Sequence, residues 1–515
     1  MLATLILAAW AAGVALLVHR EYFKPSALRL EEAALRVGPG AEFYAISMGD
    51  GPIGYASSTV DTTPDGVRVR DLTVVDIDAL GQVQRTQIAT EIRLTRDLRL
   101  RGFDGSLDAP GAAFRAGGRV EGDSVLAVTL DAGGSRPQIA RVSLKHPIVM
   151  SALLPLQLAF GHRLAPGREY SVRLFDPMLM EEREVTVRVL AESALAVTDS
   201  AQRDSAARRW VPAHVDSVRA WKVAEEFEGV STESWIDRQG RIVSSVSPIG
   251  FRTERMPFEM AVENWRRWAA ARAAAGGVGD VIAATAITAN VPLQPHDLEV
   301  LRVALDNVPL PGFDLAGGRQ SLAGDTLVVR RETGVGAQPG PAPPLYAAML
   351  PVTDTALAAE LSAEPLVQAD DPRVQAQARL IAGRERRAGA VAGLLERWVH
   401  DNLRKEITIG VPSAAQVLEE RRGDCNEHTV LYVALARALG LPARTAAGLV
   451  YLRGRFYYHA WPEVWLGQWV AVDPTFGQFP ADASHLRFVI GGLARQVELL
   501  RLIGRVHVTV VGGGR

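Results

Sequence analysis

The stretch GDCNEHTVLYVALARALG, residues 423–440, carries the clearest structural signals in the chain. Asp424 is a good helix N-cap, and Gly440 suits the left-handed residue that often follows a helix end. Pro442 then blocks any continuation of the helix. The stretch therefore predicts a helix whose first turn contains Cys425.

Cys425 is the only cysteine in the 515 residues, so the chain can form no internal disulfide and has no CxxC pair for a structural zinc. At a helix start, free backbone amides and the positive end of the helix dipole favour the thiolate, which is the reactive form of cysteine. We therefore expect a thiolate at Cys425. One alternative is a small buried apolar side chain. Another is a metal site with His428, although no convincing further ligands follow in the sequence.

Strand signals follow this predicted helix. Residues 445–452 and 456–466 are typical of two strands, and residues 469–473 are typical of a third. This order predicts a helix packed on an antiparallel sheet. His459 falls on the second of these strands and Asp473 on the third.

Four sequence blocks follow one another in this part of the chain, namely Gly423-Asp424-Cys425, Ala436-Arg437-Ala438-Leu439-Gly440-Leu441-Pro442-Ala443-Arg444, His459-Ala460-Trp461-Pro462-Glu463-Val464 and Trp469-Val470-Ala471-Val472-Asp473-Pro474-Thr475. Together they resemble the successive blocks of bacterial transglutaminase-like domains, which share their core with papain-like thiol enzymes. The resemblance covers about residues 371–486, and four ordered blocks are more specific than any lone motif.

The resemblance implies a catalytic triad. Cys425 would attack an amide carbonyl as a thiolate, His459 would activate the thiol and protonate the leaving amine, and Asp473 would hold the imidazole. The backbone amide of Cys425 would serve as an oxyanion donor. Gln416 is a polar upstream residue that nothing in the spacing places. We expect no metal and no cofactor, and the chain has no acidic loop of the calcium-binding type.

The meeting of His459 with Asp473 depends on the hairpin between their strands. Cross-strand neighbours share a face, so a two-residue turn would set Asp473 opposite Pro462 and on the other face from His459. A three-residue turn at residues 466–468 instead pairs Asp473 with Trp461, on the face of His459. A bulge near Pro462 would act similarly. The triad therefore predicts one irregularity in this hairpin.

Two further groups of residues lie close to the predicted triad in the sequence. Asp482 and His485 resemble the Ala-Asp-x-x-His ending of the family, and we interpret them as a structural cap. Trp461, Trp465 and Trp469 either wall the site or, as is usual for aromatic strand residues, pack in the core.

Length and composition indicate several globular units, because 515 residues with 48% hydrophobic and 22% charged content exceed one ordinary core. Residues 38–275 are typical of a β-rich domain, with a helix predicted at residues 147–160 across its sheet. Residues 278–365 indicate a second, sandwich-like β-rich domain, and residues 371–515 a transglutaminase-like domain. A net charge of -2 offers no field to concentrate nucleic acid, so we exclude that partner.

The N-terminal residues predict a membrane anchor. Residues 1–18 carry no charge and are rich in Leu, Ala and Val, about the minimum for a helix that crosses a bilayer. We interpret residues 1–20 as an uncleaved signal-anchor, because the small-x-small site at Ala9 comes too early for a signal peptide. We expect a membrane-anchored protein with an extracytoplasmic body, either periplasmic or on the cell surface. The alternative is a buried N-terminal helix.

The predicted fold class is α+β, with a papain-like core in which the catalytic helix lies on an antiparallel sheet, preceded by two β-rich domains and a transmembrane helix. The leading functional hypothesis is a cysteine-dependent enzyme that acts on amide bonds of a protein or peptide. Hydrolysis and acyl transfer to an amine remain open, because both pass through the same thioester. The alternative is a non-catalytic envelope protein whose β domains bind a partner and whose thiol fold is a scaffold.

Overall fold

The computed structural model of the chain describes residues 39–49, 51–79, 82–110, 112–122, 124–144, 148–176, 181–227, 230–247, 250–275, 285–332, 348–406, 408 and 411–514. The predicted signal-anchor, residues 1–20, lies outside these ranges. Across the described ranges, no helix combines the length and the apolar character needed to span a membrane. The architecture is mixed α/β with large sheets.

The N-terminal region forms one sheet of 15 strands. Alternation of the buried Val67 and Val69 with the more exposed Arg68 and Arg70 confirms the half-exposed strands that the sequence predicts. The strands are β1 Gly40–Met48, β2 Gly51–Thr63, β3 Gly66–Ala79, β4 Gln82–Leu94, β5 Leu100–Ala109, β6 Ala112–Glu121, β7 Val125–Asp131, β8 Gln138–Ser143, β9 Val149–Met150, β10 Glu169–Asp176, β11 Glu181–Asp204, β12 Arg209–Phe227, β13 Val230–Asp237, β14 Ile242–Val246 and β15 Phe251–Arg255. Their order across the sheet is β8-β7-β6-β5-β4-β3-β2-β1-β15-β14-β13-β12-β11-β10-β9.

Two helices lie on this sheet. Helix α1, Leu154–Gly161, confirms the helix expected near residues 147–160. Its Leu158 is fully buried in a core that includes residues from strands β3–β7 and from strands β10–β13. The two parts of the sheet therefore curl around this helix. Helix α2, Asn264–Ala275, follows a π-helical turn at Glu259–Glu263.

The region after α2 shares its strands with the C-terminal region. It contains β16 Ile287–Thr288, β17 Val300–Asp306, β18 Gln320–Ala323 and β19 Thr326–Arg330. The last strand of the chain, β26 His507–Gly514, pairs with β17 in a 4-stranded sheet of order β18-β19-β17-β26. Backbone pairing therefore joins the predicted second and third units, and the predicted domain boundaries themselves remain predictions.

The C-terminal region packs helices against a 5-stranded sheet of order β16-β23-β22-β25, in which β24 pairs with β23. The helices are α3 Pro372–Ala382, α4 Ala388–Asn402, α5 Ala414–Glu420, α6 Cys425–Ala438 and α7 Leu493–Gln496; the strands are β20 Arg404–Lys405, β21 Arg422–Gly423, β22 Ala443–Leu452, β23 Arg455–Trp465, β24 Trp469–Ala471 and β25 His485–Ile490. The arrangement confirms a helix packed on antiparallel strands. Helix α6 supplies the centre of the core, with Leu431 and Leu435 fully buried.

A buried ion group fixes this sheet to the preceding region. Glu463 on β23 accepts hydrogen bonds from Arg444 at 2.6 Å and from Arg487 at 2.9 Å. Burial alone would raise the pKa of Glu463, but Arg487 and Arg444 lower it. Arg487 also donates to the carbonyl oxygens of Ala316 and Gly317, so it links the 5-stranded sheet to the loop that precedes β18.

The N-terminal sheet contacts the C-terminal helices through polar groups. The Ser135 amide donates to the Asp371 carboxylate at 2.6 Å, and Asp371 also caps α3 as the sequence predicts. The Gln416 side-chain amide donates to the Ala113 carbonyl at 3.2 Å. Gln416 therefore contributes to the contact between the two regions.

Candidate functional site

Cys425 begins helix α6, as the sequence predicts. The Asp424 carboxylate accepts a hydrogen bond from the Asn426 amide at 2.8 Å, and Glu427 in turn accepts from the Asp424 amide at 2.9 Å. This reciprocal capping box satisfies two of the amides that a helix start leaves unpaired. At the other end, Gly440 has a φ of +74°, the left-handed conformation expected after the helix.

Cys425 as a residue is half-buried, and its sulfur faces strand β23. The Ala460 amide donates a hydrogen bond to it, which places the sulfur beside the residue that follows His459. Burial raises the pKa of the Cys425 thiol well above its ordinary value, the Asp424 carboxyl raises it further, and the Ala460 amide lowers it in part. Lost hydration and a neighbouring acid therefore oppose the thiolate that the helix start favours, and the thiolate stays a prediction.

His459 and Asp473 form a buried pair. The distance from His459 Nε2 to Asp473 Oδ2 is 2.8 Å, and the side chains are 5% and 0% exposed. Strand β24 pairs with β23 through Trp465 opposite Trp469, which leaves a three-residue turn at residues 466–468. The predicted hairpin irregularity is thus confirmed, and it brings both side chains to one face of the sheet.

Aromatic rings enclose the His459 imidazole. Phe476 stacks on it with ring centroids 4.9 Å apart and an interplanar angle of 16°. Trp461 lies at 6.0 Å and is fully buried. Trp465 and Trp469 instead contact each other at 5.4 Å, beside the turn. Phe476 is 37% exposed and is therefore the ring that separates His459 from solvent.

A second histidine, His485 at the start of β25, contacts the same carboxylate. Its Nε2 lies 3.0 Å from Asp473 Oδ2, and its Nδ1 lies 3.2 Å from Asp482 Oδ1. The Asp482 carboxylate also accepts a hydrogen bond from the Ser484 amide at 2.8 Å, which confirms the predicted local cap. The sequence predicted only a structural role for Asp482 and His485. The pattern that pointed to them was the Ala-Asp-x-x-His ending.

The charges of this network are set by mutual contacts. Burial alone would raise the pKa of Asp473, but His459 and the hydrogen bonds from His459 and His485 hold it far below its ordinary value. Burial alone would lower the pKa of His485, but its hydrogen bonds with Asp473 and Asp482 raise it to about 9. At neutral pH, His485 therefore carries a positive charge between the Asp473 and Asp482 carboxylates.

The structure joins two of the three predicted triad residues by a hydrogen bond and places the third beside them. His459 and Asp473 share a hydrogen bond. Cys425 lies against Ala460, while no hydrogen bond joins Cys425 to His459 within the described part of the chain.

One group in the described ranges has the composition of a metal site. Ligand atoms of His459, Asp473 and His485 all lie within 4.8 Å of one another. The same atoms already hydrogen-bond to each other at 2.8 Å and 3.0 Å in a fully buried place. The neighbouring His428 directs Nδ1 to the Asp424 carbonyl at 2.6 Å. The predicted absence of a metal remains a prediction.

Comparison with known proteins identifies the family of this region. The model of the transglutaminase-like superfamily matches residues 375–474, a range that contains all three predicted triad residues. No curated protein matches the chain.

Three solved structures resemble parts of the chain at low identity. A candidate cysteine protease from Cytophaga hutchinsonii has 14% identity and a TM-score of 0.26 over 41% of this chain and 83% of that one. A β-barrel-like protein with a domain of unknown function from Brucella abortus has 16% identity and a TM-score of 0.31 over 42% and 94%. A candidate protease from Parabacteroides distasonis has 9% identity and a TM-score of 0.18 over 70% and 64%.

Proposed function

Because residues 375–474 form a transglutaminase-like domain, we propose that the chain is a cysteine-dependent enzyme that acts on amide bonds of a peptide or protein. Cys425 is the nucleophile, His459 the general base and acid, and Asp473 the residue that orients the imidazole. The observation that carries this proposal is the buried 2.8 Å contact between His459 and Asp473, formed beside the only thiol in the chain.

The hydrogen bond to Asp473 assigns the two ring nitrogens of His459. A carboxylate only accepts, so Nε2 carries a proton and Nδ1 keeps its lone pair. Nδ1 is therefore the atom that can take the thiol proton. Since burial raises the pKa of Cys425, the proton leaves the sulfur as it attacks, and no thiolate needs to be present beforehand.

The positions of the protons on Cys425 and His459 determine the steps of the proposed reaction. The Cys425 sulfur bonds to the substrate carbonyl carbon while its proton moves to His459 Nδ1. The oxyanion that forms accepts a hydrogen bond from the Cys425 amide, because the first amide of a helix has no partner within the helix. His459 returns the proton to the nitrogen of the breaking amide bond, and an amine leaves. A thioester remains on Cys425.

Water or a second amine then resolves the thioester. With water the overall reaction is hydrolysis of the amide, and with an amine the overall reaction is acyl transfer. Incubation with a peptide library, with and without an added primary amine, followed by mass spectrometry distinguishes the two. Hydrolysis yields shorter peptides in both samples, whereas transfer yields products that carry the mass of the added amine.

Replacement of His459 by alanine tests the proposal before any substrate is known. Cys425 is the sole cysteine, so iodoacetamide reports on this thiol alone. We expect His459→Ala to slow alkylation at pH 7 by about tenfold or more, because no base remains to take the thiol proton. The rate constant is measured from pH 5 to 10 in both proteins.

His214→Ala is the matched control for this experiment. His214 also pairs with an aspartate, Asp199 at 3.0 Å, but its side chain is 63% exposed on the N-terminal sheet. This variant should alkylate like the wild type. If alkylation instead has a midpoint near the ordinary thiol value of ~8.5 and ignores the loss of His459, the enzyme proposal fails and the scaffold alternative is favoured.

We also propose that residues 1–20 anchor the chain in a membrane, with the remainder extracytoplasmic. The support is the uncharged stretch of residues 1–18. Full-length chain should sediment with membranes and be cleaved by external protease in spheroplasts. Retention of the whole chain in the supernatant would contradict the anchor.

A further inference from the structure

We propose that His485 is a positioning residue, which clamps the Asp473 carboxylate in the place where it serves His459. This inference rests on the proposed function and adds a fourth residue to the site. His485 lies outside the range that the family model matches, 375–474. Its role is argued from the hydrogen bonds around Asp473.

The carboxylate of Asp473 accepts hydrogen bonds from four donors, two on each oxygen. Oδ1 accepts the Thr475 amide at 2.8 Å and the Phe476 amide at 3.1 Å. Oδ2 lies 2.8 Å from His459 and 3.0 Å from His485. Two of the donors come from the next turn of backbone, His459 comes from β23, and His485 approaches from a third strand, β25. Removal of His485 would leave Oδ2 with His459 as its one partner, so this oxygen would lose the contact that holds it from the side of β25.

The partners of His485 assign its protons. Nδ1 faces the Asp482 carboxylate and the Asp482 carbonyl oxygen, each at 3.2 Å, and both atoms only accept. Nε2 faces the Asp473 carboxylate, which also only accepts. Both ring nitrogens must therefore donate, so the ring is an imidazolium. The raised pKa of His485, about 9, agrees with this geometry.

Asp482 is held firmly enough to keep His485 in place. Its Oδ1 accepts from the Ser484 amide at 2.8 Å and from the Ser484 hydroxyl at 2.6 Å. Its Oδ2 accepts from the Gln478 side chain at 2.9 Å. His485 is fully buried between the two acids. The clamp is thus a chain of side chains that runs from Asp482 through His485 and Asp473 to His459.

A positive charge at His485 has a consequence for His459. It cancels part of the negative field that Asp473 exerts on the His459 imidazole, which contacts the same carboxylate oxygen. A neutral side chain at position 485 would favour protonated His459, which is not a base. The titratable and charged groups that face His485 or Asp473 from the surrounding elements are Asp482, His459, Arg319, Glu396, His428 and Cys425.

The variant His485→Gln tests this inference in the full chain. Glutamine is neutral and retains a side-chain donor. The rate constant of Cys425 alkylation by iodoacetamide falls at low pH, and we call this part of the pH profile the acid limb. We expect the acid limb to move up by about one pH unit in the variant, because the lost charge no longer opposes protonation of His459. A merely structural role would lower thermal stability without moving this limb. His214→Gln, the exposed histidine of an Asp pair, is the matched control and should leave the profile unchanged.

Stability against pH provides a second readout that needs no catalysis. The pKa of His485 rises from its ordinary value of 6.5 to about 9 in the fold, because of its hydrogen bonds with Asp473 and Asp482. Its ion pairs therefore stabilise the fold fully below about pH 6.5 and lose this effect as the pH rises through about 9. We expect the Tm of the wild type to fall across this window and the Tm of His485→Gln to lack that component.

The outcomes separate this inference from the proposed function. If His459→Ala leaves alkylation unchanged, the proposed function fails. If His459→Ala slows alkylation but His485→Gln leaves the acid limb in place, only the role of His485 fails. If His485→Gln does not fold, NMR of the wild type labelled with ¹⁵N-histidine decides. An imidazolium that keeps two N–H protons at pH 8 supports the clamp, and a neutral ring at pH 7 overturns it.

Discussion

Replacement of Cys425 by alanine should reduce kcat/KM for an amide substrate by about 10⁴-fold or more, because no other side chain can form the thioester. The chain contains no second cysteine that could substitute. The change should leave the fold intact, since the cap of α6 comes from Asp424 and Glu427, and alanine is the best helix former. Turnover is measured by mass spectrometry with the peptides that the library identifies.

Cys425→Ser is the matched control for the loss of the thiol. The hydroxyl has nearly the same size, so the packing against Ala460 is retained. A serine hydroxyl is far less acidic than a thiol, and we expect this variant to lose about as much activity as the alanine variant. Activity above a few per cent of the wild type in both variants would mean that the nucleophile lies elsewhere.

Replacement of Asp473 by asparagine should reduce kcat/KM by about 10²- to 10⁴-fold and also destabilise the fold. The reason lies in its four partners, which are all donors: two backbone amides on Oδ1 and two histidines on Oδ2. An asparagine has only one accepting oxygen. In either orientation, its NH₂ group must face two N–H donors, so at least two hydrogen bonds are lost in a fully buried place.

The pH dependence of stability checks the same residue without a substrate. In the fold, the pKa of Asp473 is far below its ordinary value of 3.8. Its contribution to stability is therefore complete above about pH 4 and is lost as the pH falls below that value. The free energy of unfolding of Asp473→Asn should lack this component between pH 5 and 2. Asp199→Asn, which changes an exposed partner of His214, should behave like the wild type.

Local signals were enough to predict the helix that carries the candidate nucleophile. Asp424, Gly440 and Pro442 mark its ends within 20 residues, and capping depends only on contacts along the chain. The hairpin of His459 and Asp473 could be predicted almost as well, because the two faces of a strand alternate with a period of two. The need for both side chains on one face then required the three-residue turn.

Distant contacts were beyond such reasoning. The pairing of β17 with β26 joins residues about 200 positions apart, and no periodicity reports which strands become neighbours. Gln416 could not be placed from its spacing, because its partner, the Ala113 carbonyl, lies on the N-terminal sheet. The effect of burial on the Cys425 thiol was beyond sequence reasoning for a related reason. Its pKa depends on how much water the fold removes from the sulfur.

The sequence by itself determined that a thiol begins a capped helix and that a histidine and an aspartate occupy neighbouring strands behind it. These features are local, since they follow from caps, turns and strand alternation. Only the tertiary structure decided that His485 joins Asp473 from a third strand, at 3.0 Å and without exposure to solvent. Burial and the approach of distant strands turn an apparent local cap into part of the charge network at the site, because both set the field that each ionisable group experiences.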